Sequence, residues 1–323
     1  MSRPRIALLS NPKSTGNIAQ LSRIRDYCAD HPDLFHYEVE RADQIGEALR
    51  TIARVRPKML IINGGDGTVQ AALTEIHNGG HFEEAPPPVA VLPNGKTNLI
   101  ALDLGAHGDP IRALERLVNL AQSDLSPHIV ERELIALRYD ASPHPVIGMF
   151  LGGAGLADTM LYCRNKIYPL GLPNGISHAL TLIALMARML LRLQSRFLPP
   201  KPTLMELSVR RDGTISGRFA VLAVTTLEKM LLSSEVKSSG TGRLKVLAVE
   251  ERPGSLVQAF AATLGGKLGR SGMRGVHFAE TDEISIEGEN TNLILDGEMF
   301  RTRIGHPITL KPAQPLSFVR LAA

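Results

Sequence analysis

The chain has no tryptophan, and five tyrosines and nine phenylalanines bring aromatic residues to only 4% of its 323 positions. Surfaces that bind nucleic acid stack bases on aromatic rings, so this scarcity argues against such a partner. A net charge of +4 and a pI near 9.1 are too mild to reverse that conclusion. Cysteine is almost missing too. Cys28 and Cys163 lie far apart, form no metal-ligand spacing, and are expected as small buried thiols in a reducing compartment. The segment Arg3–Leu9 has too short an apolar stretch for a secretory signal and reads as a first strand. Repeats and low-complexity tracts do not occur. Two phosphate-binding motifs are lacking as well. No Gly-x-Gly-x-x-Gly follows the first strand, and Gly95-Lys96-Thr97 cannot close a P-loop because Ala90 stands where its first glycine is needed.

What is present describes an ordinary globular protein, 44% apolar and 21% charged, with a length that suggests two domains. Over the first 125 residues strand and helix signals alternate. Strands are expected at 5–10, 36–40, 58–62 and 88–92, with helices at 18–31, 44–54 and 69–77 between them. Such alternation predicts a doubly wound parallel sheet, whose ligands sit at the carboxyl ends of the strands. Three polar turns, at 11–17, 64–68 and 93–98, follow strands and belong on that edge. From about Ser126 short alternating segments separated by turn residues predict a mainly antiparallel β domain. They fall at 133–139, 146–151, 204–210, 219–225, 244–250, 283–287 and 293–295. Helices are expected over 176–197 and 256–264, and the apolar tail 315–321 is expected to return to the first domain.

The turn Gly64-Gly65-Asp66-Gly67-Thr68 carries the most information. Glycine loses more backbone freedom on folding than any other residue, so three around one aspartate need a reason. At a strand-to-helix turn the reason is close approach of an anion to backbone N–H groups. Asp66 cannot itself contact phosphate unless a cation or a proton lies between them, so metal-assisted phosphate chemistry fits better than passive anion binding. The bland alternative is a tight turn that happens to be glycine-rich. A second acidic cluster, Asp296-Gly297-Glu298, could place a general base, although Asp-Gly is also a strong hairpin signal.

No acidic residue occurs between Asp158 and Glu206, an interval that holds Arg164, Lys166, Arg188, Arg192, Arg196 and Lys201. On a helix Arg188, Arg192 and Arg196 would form one basic stripe on an otherwise apolar cylinder. The arginines interrupt any membrane span, so the segment 176–201 suits an anionic membrane surface, a core helix with one solvated face, or a pocket for a lipid tail.

The turn at 11–17, Gly64–Thr68, Pro93-x-Gly-x-x-Asn98 followed by Ala101 and Leu104-Gly105, and Asp296-Gly297-Glu298 occur in that order. In order and spacing they resemble the catalytic domain of the diacylglycerol kinase family, in particular its bacterial lipid kinases. The resemblance is strongest over 5–105 and 293–300. It implies an NAD-kinase-like α/β domain over 1–125, rejoined by the tail 306–323, and a β-rich lipid-binding domain over 126–305, with ATP in the cleft between them. It also implies Mg²⁺-dependent transfer of the γ-phosphate to a hydroxyl of diacylglycerol or a related lipid.

Carried over residue by residue, Gly64, Gly65, Asp66, Gly67 and Thr68 would contact the ATP phosphates, with Asp66 on the metal. Asn11 and Lys13 match the first nucleotide-contacting turn, and Gly95 with Lys96 or Thr97 the third. Glu298 matches the proton acceptor, with Asp296 in support. The resemblance further implies a cytoplasmic enzyme, peripheral at the inner membrane surface through 176–201; a homodimer is compatible with it. Three departures stand out. Lys96 replaces a threonine, Thr241-Gly242 replaces an Asp-Gly pair so that a structural metal is not expected, and the asparagine usual before Gly152-Gly153 is missing. Competing readings are an NAD kinase, whose Asn-Glu pair has no counterpart here, and a non-catalytic nucleotide or lipid sensor.

Overall fold

A computed structural model describes residues 6–83, 85–140, 142–170, 177, 180–181, 183–185, 187–188, 195, 197–210, 213–227, 242–264 and 273–321. The chain forms two compact units, the first comprising Met1–Leu134, His144–Met149 and Ala313–Ala323, the second Ile135–Pro143 and Phe150–Pro312.

In the first unit β1 (Ile6–Ser10), β2 (Leu34–Glu38), β3 (Met59–Asn63) and β4 (Val89–Val91) run parallel, with β1 between β2 and β3 and with β4 beyond β3. The far end of β16 (Ile308–Val319) extends this sheet, Phe318 lying parallel to Val89. Every residue of β1 and β3 is buried, which explains why their sequences are continuous apolar runs rather than alternations. Helices supply the cover. α1 (Asn17–Asp30) packs with α5 (Pro110–Ala121), which follows the short α4 (Leu99–Asp103), and α2 (Ile45–Val55) packs with α3 (Asp66–Asn78). Right-handed crossovers from β1 leftward to β2 and then rightward to β3 put α1 on one face and α2 with α3 on the other. α2 turns Ile45, Ala48, Leu49 and Ile52 inward, and α3 turns Val69, Ala72, Leu73 and Ile76. Each of the leucine, isoleucine and valine side chains among these contributes about 1.5–3 kcal/mol on burial, as an upper estimate. α5 begins where Asp109 accepts the Ile111 amide at 2.8 Å and Pro110 presets the first turn.

The second unit is antiparallel β. Its main sheet runs β12 (Val276–Thr281), β11 (Leu244–Glu250), β10 (Phe219–Thr225), β7 (Phe150–Gly153), β14 (Asn292–Leu295) and β15 (Glu298–Arg301). Beside these, β13 (Ile284–Gly288) pairs with Ile308–Leu310 of β16 and with β8 (Met205–Val209), which forms a hairpin with β9 (Gly213–Gly217). α6 (Gly155–Tyr162) and a helix over Pro253–Leu264 also belong to it.

Several expectations shift. The helix expected from Val69 starts at Asp66, so Asp66, Gly67 and Thr68 form the first turn of α3 with Gly65 as its cap. The second strand begins at Leu34 rather than His36. The segment 146–151 breaks at Met149. Val146–Gly148 is β6 of the first unit, which pairs with β5 (Ile129–Arg138), while β7 belongs to the second. The basic stripe also changes. Described residues from 177 to 188 are helical, but Arg188 is buried, pairing with Glu251 at 3.2 Å and donating to the Pro200 carbonyl at 2.7 Å. Arg188 therefore cannot belong to a solvent-facing stripe; Arg192 and Arg196 lie outside the described residues, as does Thr241. Among the described residues no helix is long and apolar enough to cross a membrane. Cys163 is buried, and burial pushes the half-buried Cys28 thiol up to about 12.

Candidate active site

The strand order reverses direction between β1 and β3, and the loops leaving the carboxyl ends of these two strands are 11–16 and 64–65. That switch point is where open α/β sheets leave a crevice for ligands. Both loops rest on a buried amide network. Asn63 ends β3 fully buried and donates to Ser10 Oγ at 2.9 Å. Asn94, just beyond β4, donates to Asn63 Oδ1 at 2.8 Å and to Asn17 Oδ1. Asn17 returns to the Asn11 carbonyl at 2.6 Å and the Asn63 carbonyl at 3.1 Å. The outer rim is tied in by Asn11 Nδ2, which donates to Thr68 Oγ1 at 2.9 Å, and by the Gly65 amide, which donates to Ser14 Oγ at 3.1 Å. Beneath it Ser10 Oγ lies 2.9 Å from His36 Nε2, and burial holds that imidazole below its ordinary value. A network in which each buried amide has its partner is rigid, and leaving one unmet would cost about 1–3 kcal/mol.

Asp66 stands at the rim of this cradle, partly buried. Burial raises its carboxyl above the ordinary aspartate range, while hydrogen bonds from the Thr97 hydroxyl and the Asn98 amide pull it back. Those two bonds tie the second turn to the third. Gly95 seals the junction, because a Cβ there would lie 3.2 Å from the Gly65 Cα. Asn98, at φ 55, closes the third turn by accepting the Gly95 amide at 2.6 Å and donating to the Gly95 carbonyl at 2.9 Å.

The glycines divide by environment. A Cβ on Gly64 would press on the Thr68 side chain at 2.7 Å, so that glycine serves packing. A Cβ on Gly65 or Gly67 would meet nothing within 4 Å. Packing therefore does not explain these two, which border open space at the cap and in the first turn of α3. The Asp66 and Gly67 amides have no acceptor among the described residues, as expected for a helix start that faces an anion. Lys13 and Lys96 are exposed, and Lys13 pairs with Glu40 at 2.9 Å. Among the described residues no cluster of three or more His, Cys, Asp or Glu could hold a metal. Asp66 offers one carboxylate, which suits Mg²⁺, an ion that keeps waters and takes its remaining ligands from substrate phosphates. A cavity of about 830 Å³ lies elsewhere, lined by Arg50, Arg54, Arg56, Pro57, Phe82 and Pro87 among others. These residues precede β3 and β4, on the edge away from the glycine turn.

In the second unit Asp296 and Gly297, at φ 43 and 92, make the two-residue turn between β14 and β15. This is the hairpin that Asp-Gly signals. Asp296 is buried, and its carboxylate accepts the Phe150 amide at 3.1 Å, so it braces the turn against β7. Glu298 opens β15 with an exposed side chain, and partial desolvation by its surroundings raises its carboxyl above the ordinary glutamate value. Behind it on the same hairpin, Asn292 donates to Asp158 at 2.7 Å and accepts from Arg301 at 3.2 Å.

Asn17, Asn63 and Asn94 were not singled out from sequence. For Asn63 and Asn94 the available signal was an asparagine that ends β3 or follows β4 within three residues, at the edge where a ligand would sit; Asn17, seven residues past β1, had no such signal.

Residues 5–126 match the family model of the diacylglycerol kinase catalytic domain. The whole chain is similar to solved structures from Bacillus anthracis str. Sterne. One is a diacylglycerol kinase, 16% identical with a TM-score of 0.61, the likeness covering 99% of this chain and 98% of that one. Two more, provisionally named diacylglycerol kinases, have the same identity and coverage, with TM-scores of 0.65 and 0.63. At that identity the likeness establishes the fold. No curated protein matches the chain.

Proposed function

We propose that this chain, a kinase-type enzyme carrying a diacylglycerol kinase catalytic domain over residues 5–126, transfers the γ-phosphate of ATP to a lipid hydroxyl. The observation that carries this reading is the open glycine turn beside Asp66: two amides with no acceptor among the described residues, two glycines whose Cβ positions face empty space, and a carboxylate at the edge. Phosphoryl transfer needs positioning and charge neutralisation more than covalent help. Gly65, Gly67 and Thr68 hold the phosphates, Asn11 and Gly95 shape the adjoining turns, and Gly64 packs the turn from behind. Lys13, Lys96 and Thr97 supply the outer polar contacts. Mg²⁺, held by Asp66, would neutralise charge on the phosphoryl oxygens. Glu298 accepts the proton of the attacking hydroxyl, a role for which a raised carboxyl is better matched than an ordinary one. Asp296 supports it by fixing the turn.

Diacylglycerol or a close relative is the proposed acceptor, reached by a cytoplasmic enzyme at the inner membrane surface, with contact in the 176–201 region. The test is an assay with γ-labelled ATP, Mg²⁺ and a mixed bacterial lipid extract, with NAD in a parallel tube. Label in the lipid phase is expected. Label in NADP alone would replace this reading with a nucleotide kinase, and label in neither would leave a sensor.

A further inference from the structure

The helix Pro253–Leu264 is built the wrong way round for a helix that lies against water. It holds no charged residue, and among its described side chains the buried ones are small: Ser255, Ala259, Ala262 and Thr263. Two of its large apolar side chains point outward, Val257 at 63% and Phe260 at 54% exposure, while Leu256 is half-buried. Burial favours the opposite arrangement, with the large side chains inside.

A second exposed apolar segment converges on the same place. Arg188 pairs with Glu251, two residues before the helix, and donates to the Pro200 carbonyl. Arg218 donates to the Pro202 carbonyl at 2.9 Å, and its own carbonyl accepts the Glu251 amide at 2.8 Å. These bonds clasp 200–202 to the start of the helix. Next to the clasp in sequence are Phe197, 82% exposed, and Leu204, 61% exposed. Between them Lys201 is exposed with no ion pair among the described residues. On the helix side Ser255 Oγ donates to the Arg274 carbonyl at 3.2 Å, which puts the backbone of a second exposed basic residue, without an ion pair among the described residues, beside the first turn.

From this juxtaposition we infer that Pro253–Leu264 and the strap 197–204 form one docking face for an anionic lipid bilayer. Val257, Phe260 and Phe197 enter the interface, and Lys201 and Arg274 meet the headgroups. An amphipathic surface with aromatic residues at its apolar part and cations at its margin is what binds at such an interface. The choice of a bilayer rather than a protein as occupant rests on the lipid-kinase reading. In this face Arg188 is the internal clasp and not a headgroup contact, contrary to the stripe expected from its spacing.

The test is sedimentation of the full chain with vesicles of phosphatidylcholine alone or mixed equally with phosphatidylglycerol. Melting temperature serves as the fold control for each variant. Val257→Ser with Phe260→Ser should lower the partition coefficient at least tenfold for both compositions. Lys201→Gln with Arg274→Gln should lower it about fivefold per residue for the anionic vesicles only. Phosphorylation of a monomeric short-chain diacylglycerol should be unchanged in the serine variant. Phe260-dependent partition by a chain that phosphorylates no lipid would support the docking face and defeat only the substrate reading. Serine variants that sediment like wild type would overturn the inference. So would a wild-type chain that ignores vesicles and self-associates through Phe260.

Discussion

Replacing Gly67 by alanine separates what the fold needs from what a ligand needs. Gly67 is the second residue of α3, exposed, and a Cβ there would meet nothing within 4 Å. Its φ is not in the left-handed region, so alanine can take the same backbone conformation. On stability alone the change should help. Alanine exceeds glycine by about 1 kcal/mol in a helix interior and by less in the first turn, so a gain of about 0.3–1 kcal/mol follows. For a chain of this size that raises the melting temperature by roughly 1–3 °C. Binding should move the other way. The methyl group would stand in the open space beside the unaccepted amides, where phosphate oxygens are proposed to approach. Loss of one hydrogen bond to a charged group costs about 1.5–3 kcal/mol, or roughly 10–150-fold in Kd for ATP. Differential scanning fluorimetry without nucleotide gives the first quantity, and calorimetric ATP titration with Mg²⁺ gives the second. Unchanged ATP affinity in a stabilised variant would exclude phosphate contact at this turn, because Gly67 would then serve neither packing nor ligand. Gly64→Ala is the contrast: its Cβ would press on Thr68 at 2.7 Å, so it should destabilise the fold before any ligand is added.

Gly16→Ala should be among the most damaging glycine changes, because a Cβ there overlaps the side-chain and carbonyl oxygens of Asn94. Displacing Asn94 strands Asn63 and Asn17, so urea denaturation should show a loss of about 2–4 kcal/mol. His36, held below its ordinary value by burial, predicts an acid-side weakening. Between the unfolded value near 6.5 and the lower folded value the unfolded chain binds the extra proton, so stability is present above that window and falls as pH drops through it. The difference in unfolding free energy between wild type and His36→Gln should therefore vary with pH below about 6.5 and be flat above it; a constant difference would remove His36 from the account. At the hairpin, Asp296→Asn keeps both an acceptor and a side chain that tolerates φ 43, whereas Asp296→Ala loses both. Chemical denaturation should find the asparagine variant within about 1 kcal/mol of wild type and the alanine variant about 2–4 kcal/mol worse.

The parallel sheet of the first unit was legible because buried strands such as Met59–Asn63 are uninterrupted apolar runs bounded by turns. The glycine turn was legible as a strand-to-helix junction because it directly follows the apolar run of β3. Its inner extent was not. Helix periodicity begins with the apolar Val69, so the polar residues Asp66–Thr68 could not be assigned to α3 from pattern alone. The asparagine network was hidden for another reason: Asn63 and Asn94 acquire meaning only when β3 and β4 become neighbours. In the second unit, β9, β12 and β15 escaped notice because short, half-exposed strands leave little alternation to read. Arg188 misled because i,i+4 spacing says which residues share a face but not whether that face meets water or Glu251. The helix at 253–264 could be read as apolar, yet which of its apolar residues face outward depends on where its small ones pack.

The proposed mechanism divides the labour: the turn at Asp66 would hold the nucleotide and Glu298 would take the proton. It is tested most directly by Glu298→Gln, with ATP affinity and turnover measured on the same preparation. ATP affinity within about twofold of wild type and turnover lowered by roughly 10²–10⁴ are predicted, since that is the worth of a positioned general base. Wild-type turnover in this variant, or loss of ATP binding equal to the loss of turnover, would contradict it.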